Sequence, residues 1–164
     1  MITQRCLRFK STLTMKTSTS LSLPIYLLVF AALMSFSTPF TLPDEVVART
    51  NEFRKANGLP ALQVNDHLNE LAQKHSEAMA KGRTSFGHAG FDKRNAQATA
   101  QIKTLSSFAE NVAYGAETAT QVVDNWKNSA GHRKNMLGKT YKLIGVGIAR
   151  SKNGQLFYTQ IFGG

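Results

Sequence analysis

Residues 142–162 read KLIGVGIARSKNGQLFYTQIF. Two apolar, β-prone runs, Lys142–Arg150 and Gln155–Phe162, flank Ser151–Gly154, a turn-forming SKNG. That pattern predicts an antiparallel hairpin. Upstream, the periodicity changes to that of helices. Thr41, Pro43, Asp44 and Glu45 form a helix start, with Val46, Val47, Thr50 and Phe53 as its apolar face. The NGLP at Asn57–Pro60 stops it. Asn65 or Asp66 caps a second helix bearing Leu68, Leu71, Ala72, His75 and Met79 at helical spacing, closed by Lys81 and Gly82. His75 lies on that stripe and reads as a packed core histidine. Thr118 and Gln121 make a capping box for a further helix, with Val122, Val123 and Trp126 inward and Gly131 as its stop. Residues 84–104 read as a loop with a short helix near Phe91–Ala98. The conformation of Ser106–Gly115, SSFAENVAYG, stays open. Strands and helices do not alternate as β-α-β units. An α+β fold, with helices flanking a small, mostly antiparallel sheet, is the expectation.

The 164 residues include an apolar, uncharged run at 21–36. Arg5, Arg8, Lys10 and Lys16 precede it, and Ser35 and Ser37 mark a processing site. Residues 1–37 therefore read as a signal peptide, with Met15 as an alternative start. The run is shorter than the roughly 20 residues that span a bilayer, so an uncleaved anchor is the second reading. A single domain over 41–164 follows. Location is expected to be secreted and extracellular, or periplasmic in a Gram-negative cell. The full-chain charge is +10, but without residues 1–37 it is +6, from 16 basic and 10 acidic side chains. No block of basic residues stands out, which argues against a nucleic-acid partner. The one cysteine is Cys6. Residues 41–164 hold no thiol nucleophile, thiolate ligand or disulfide.

His88, Glu110 and His132 are the polar residues that suggest chemistry, spaced 22 apart at each step. Two imidazoles and a carboxylate can ligate Zn²⁺ and leave a water position. The same residues also suit caps or exposed polar positions, and spacing alone does not join them. No H-E-x-x-H, phosphate loop or G-x-S-x-G elbow occurs. Ser85, Ser107 and Ser129 are nucleophiles by residue type only.

Seven segments occur in an order that resembles one family. They are NEFRKANGLPAL at Asn51–Leu62, LAQKHSEAMA at Leu71–Ala80, FGHAG at Phe86–Gly90, AENVAYG at Ala109–Gly115, NWKNSAGHRKNML at Asn125–Leu137, IGVGIA at Ile144–Ala149 and FYTQIFG at Phe157–Gly163. Together they resemble the CAP superfamily of cysteine-rich secretory, antigen 5 and pathogenesis-related 1 proteins, also called SCP domains, in its compact disulfide-free form. The resemblance implies a three-layer α-β-α sandwich and a central cleft lined by His88, Glu110 and His132. Many members place a second glutamate three residues after the tryptophan, where this chain has Ser129. One fewer acid weakens the attraction for Zn²⁺, the implied cofactor. Asn111, Ser129 and Asn135 are expected to surround or organise the cleft. The resemblance implies a monomeric, non-catalytic binding module for a lipid, a sterol or an extracellular protein. Its alternatives are a metal-dependent hydrolase using Glu110, and an interaction protein with a vestigial cleft.

Overall fold

The computed structural model describes residues 40–164. The signal-peptide reading of residues 1–37 concerns residues outside that range. The elements run α1 (Leu42–Ala56), β1 (Gln63–Val64), α2 (Asp66–Ala80), α3 (Phe91–Gln101), β2 (Phe108–Tyr114), α4 (Ala119–Asn128), α5 (Ala130–Met136), β3 (Leu143–Arg150) and β4 (Leu156–Gly163). The sheet order is β1-β3-β4-β2. β1 runs parallel to β3, and the other two pairings are antiparallel.

The expected hairpin forms, with Val146 opposite Gln160 and Ile148 opposite Tyr158. Strand alternation then sorts the side chains. Ile144, Val146, Tyr158 and Phe162 pack with Val46, Val122, Trp126 and Met136. Ile161 and Leu143 face the other way, towards Leu68, Leu71 and Ala98. Helices α1, α4 and α5 thus cover one face, and α2 and α3 the other. The α+β, three-layer expectation holds.

Local signals behaved as their physics requires. Thr41 and Thr118 each make a complete capping box, and the Asn65 side chain caps α2. Two expectations need correction. The segment after residue 84 holds an 11-residue helix, Phe91–Gln101, rather than a short one ending at Ala98. The helix carrying Trp126 does not continue to Gly131. It ends at Asn128, and Ser129, extended at φ −95° and ψ 122°, separates it from α5. Gly131 therefore lies inside a second helix, one residue before His132. The segment left open at Ser106–Gly115 contains β2.

Candidate functional site

β2 is an edge strand, and its alternation builds the site. Glu110 sits opposite Ile161 and points to the layer of α2 and α3. Asn111 sits opposite Gln160 and points to the layer of α4 and α5. Two consecutive residues therefore gather partners from both faces of the sheet.

On the first face, the Glu110 side chain has no solvent exposure. Arg94 of α3 grips it bidentately, with Nε 2.7 Å from Oε2 and Nη2 2.7 Å from Oε1. His88 adds a third contact, its Nδ1 2.9 Å from Oε1. Because a carboxylate paired with a guanidinium only accepts, the His88 Nδ1 carries the proton and donates it. In the neutral ring Nε2 is then the lone-pair nitrogen, on a side chain that is 49 % exposed. Such a carboxylate–imidazole contact orients a ring for ligation or binding.

The loop carrying His88 is itself held. Gly90 caps α3 at φ 76°, a conformation that favours glycine. The buried His75 donates from Nε2 to the Gly87 carbonyl at 2.8 Å. Its Nδ1 then accepts from Arg94 Nη1 at 3.2 Å, while the same Nη1 donates to the Ala89 carbonyl at 2.8 Å. Burial lowers the His75 pKa most, opposed by the bond to Gly87 and reinforced by Arg94. His75 is thus the packed, hydrogen-bonded core histidine that its place on the stripe suggested.

On the second face, Asn111 Nδ2 donates to the His132 carbonyl at 3.2 Å and to Gln160 Oε1 at 3.1 Å. Asn135 Nδ2 donates to Asn111 Oδ1 at 2.9 Å and to the Glu110 carbonyl at 3.1 Å. These bonds stitch α5 to the free edge of β2 and set where His132 stands. His132 is half-buried, and its pKa is lowered, first by burial and then by the nearby charge of His88.

His88 and Glu110 are therefore in contact, while His132 belongs to α5 in the opposite layer, its carbonyl bonded by Asn111. Ser129 is half-buried at the α4–α5 junction, where its carbonyl accepts from the Arg133 amide. Among the described residues, no three His, Cys, Asp or Glu side chains form a group that could hold a metal ion. An open cleft of about 560 Å³ runs along this edge, walled by His88, Glu110 and Asn135 with Phe91, Phe108 and Tyr141, and with Lys134 on its rim. A larger groove of about 680 Å³ lies elsewhere, between Glu117 and Arg150, and has no histidine.

Arg94 is the residue of this candidate site that the sequence reading passed over. The signal was present but weak: Phe91, Arg94 and Ala98 are at helical spacing, and the last two are buried. A charged residue among polar neighbours reads as surface until its carboxylate partner is known.

Comparison with known proteins agrees with this architecture. The model of the cysteine-rich secretory protein family (CAP) matches residues 47–162. The Bacillus subtilis protein YkwD is 33 % identical over 126 residues, covering 73 % of this chain and 46 % of YkwD. The human Golgi-associated plant pathogenesis-related protein 1 is 30 % identical over 130 residues, covering 70 % of this chain and 77 % of that protein. An extracellular protein containing an SCP domain from Bacillus anthracis superposes with a TM-score of 0.60 at 27 % identity, over 73 % of this chain and 39 % of that one. The chain spans less than half the length of YkwD and of the Bacillus anthracis protein. Sheet order, layers, the edge-strand His/Glu cluster and a family match across the folded residues lead to one assignment: the chain belongs to the CAP, or cysteine-rich secretory protein, family.

Proposed function

We propose that this protein is a secreted, non-catalytic binding module whose cleft joins a paired-imidazole site to apolar walls. The observation that carries the reading is the saturation of Glu110. Both of its oxygens are bound by Arg94, and one also by His88. A hydrolase built on this cleft would need Glu110 free to take a proton from water. The Ser129 hydroxyl has no hydrogen bond to an imidazole among the described residues, so the serine route lacks its base as well.

The donor set suits a divalent transition metal held weakly. His88 Nε2 and His132 would hold Zn²⁺, with solvent completing the shell and Glu110 orienting His88 from behind. When bound, Zn²⁺ would supply Lewis acidity. Phe91, Phe108 and Tyr141 would give apolar contact to a lipid, a sterol or a side chain of an extracellular protein partner. The basic residues and apolar run within residues 1–37 support export.

Calorimetric titration of the protein with Zn²⁺ at pH 7.5 and 5.5 tests the reading. Saturable one-to-one binding is expected, weaker at pH 5.5 because protons compete for both imidazoles. His88→Ala and His132→Ala should each weaken it at least tenfold with unchanged circular dichroism. Unaltered affinity in both variants would remove the metal from the proposal and leave the apolar walls as the binding feature.

A further inference from the structure

We propose that Arg94 is the specificity-determining residue of this cleft: by occupying both oxygens of Glu110 it withholds the carboxylate from cations and commits it to orienting His88. The inference rests on the reading above, in which His88 and His132 line the binding site. Four contacts define the clamp. Nε and Nη2 bind Glu110, each at 2.7 Å, and Nη1 binds the Ala89 carbonyl at 2.8 Å and His75 Nδ1 at 3.2 Å. Arg94 is 8 % exposed, so water screens the pair little. The planar fork matches the carboxylate and simultaneously ties down the loop that carries His88.

The consequence is a cleft wall that exposes the His88 imidazole and turns the Glu110 carboxylate inward. Charge balance explains why the clamp decides the ligand. Glu110 is neutralised by Arg94, Ser129 carries no charge, and the rim residue Lys134 is cationic. Anionic character that would draw a divalent cation is therefore absent from the cleft walls. Without the guanidinium, the buried Glu110 would be an unpaired charge, stabilised either by a proton or by a cation placed beside His88. The clamp thus separates a two-donor cleft from a three-donor metal site.

The test compares the full chain with Arg94→Met and Arg94→Lys. Zn²⁺ titration should show at least a tenfold gain in affinity for Arg94→Met. Arg94→Lys, which keeps a charge but cannot bridge both oxygens, should gain less. Adding Glu110→Gln to Arg94→Met should cancel the gain. A metal-free readout comes from nitrogen NMR of the imidazoles. His88 should be chiefly the Nδ1–H tautomer in the wild type and shift towards Nε2–H in Arg94→Met. A folded Arg94→Met that binds Zn²⁺ no more tightly than wild type would overturn the proposal. So would a wild-type His88 that is chiefly Nε2–H. Should Arg94→Met not fold, Arg94→Lys and the wild-type tautomer decide. Failure of the parent reading looks different: the gain would survive His88→Ala and His132→Ala, yet still need Glu110.

Discussion

His75 illustrates how one buried imidazole links folding to pH. Its two nitrogens have fixed and opposite duties, Nε2 donating to Gly87 and Nδ1 accepting from Arg94. A second proton would have to sit on Nδ1, facing the N–H of a guanidinium. Burial and that guanidinium keep the folded-state pKa below 6.5. The unfolded chain therefore binds more protons than the native state below that value. The stability due to neutral His75 is present above about pH 6.5 and is lost as pH falls. His132 shifts in the same direction, so the two effects add. Urea unfolding at pH 7.5 and 5.5 should show a clear loss of stability at the lower pH, with a slope of up to about 1.4 kcal/mol per pH unit for each histidine. His75→Gln, which cannot charge, should have a shallower slope. An unchanged slope in that variant would place the protonating group elsewhere. The sequence marked His75 as core because it falls on an apolar helical stripe. It did not mark the Arg94 partner, which lies 19 residues away on another element.

At the scale of elements, the seat of α2 on β3 combines close approach with edge protection. β1 pairs with β3 only at Leu143 and Ile144. Beyond that point the β3 edge would be open, and open edges invite unwanted pairing. Side chains of α2 take over the missing strand's role. Asn69 Oδ1 accepts from the Val146 amide and Gln73 Oε1 from the Ile148 amide, both at 2.9 Å. Ser76 donates to the Gly147 carbonyl at 2.8 Å. These short side chains reach because Gly145 and Gly147 face α2; a Cβ at either would overlap its backbone, at Leu68 and at Gln73. Gly147→Ala should cost about 1–3 kcal/mol in urea denaturation, as overpacking does. Asn69→Ala should cost roughly 1–2 kcal/mol and speed hydrogen exchange at the Val146 amide. A neutral Gly147→Ala would mean that α2 is free to lift from the sheet. Legibility at this scale followed the range of each signal. The caps, the α2 stripe and the SKNG turn act within a few residues and were readable. β2 was not, because Glu110 and Asn111 are adjacent, polar and both buried. Reading a strand by its alternation needs an apolar residue at one of the two positions, and neither supplies it. The break at Ser129 was hidden too, since α5 is held in place by Asn111 and Asn135 rather than by a local stop.

For the whole molecule, the sole cysteine is Cys6, so no disulfide joins the layers. Long-range polar ties take that part. Arg54 of α1 is fully buried and reaches across the fold. Nη1 donates to the Met136 carbonyl at 2.7 Å and the Gly138 carbonyl at 3.0 Å, and Nε to the Pro60 carbonyl at 3.0 Å. A cation at the C-terminal end of α5 also complements its dipole. Arg54→Met keeps much of the volume but leaves three carbonyls unpaired, so a loss of about 2–4 kcal/mol is expected in urea unfolding. Because α5 carries His132, the same variant should broaden or shift the His132 imidazole signals. A loss under about 0.5 kcal/mol would show that the tie is incidental.

The sequence by itself determined the starts of α1, α2 and α4, the hairpin, the α+β class and the family. Caps, periodicity and turns are local, and seven ordered segments leave few alternatives. Tertiary structure alone decided that Arg94 locks Glu110, that His88 presents Nε2, and that His132 arrives from the opposite layer. Those outcomes depend on which charges are buried together. Desolvation in turn depends on packing between residues distant in the chain, and no local pattern encodes it.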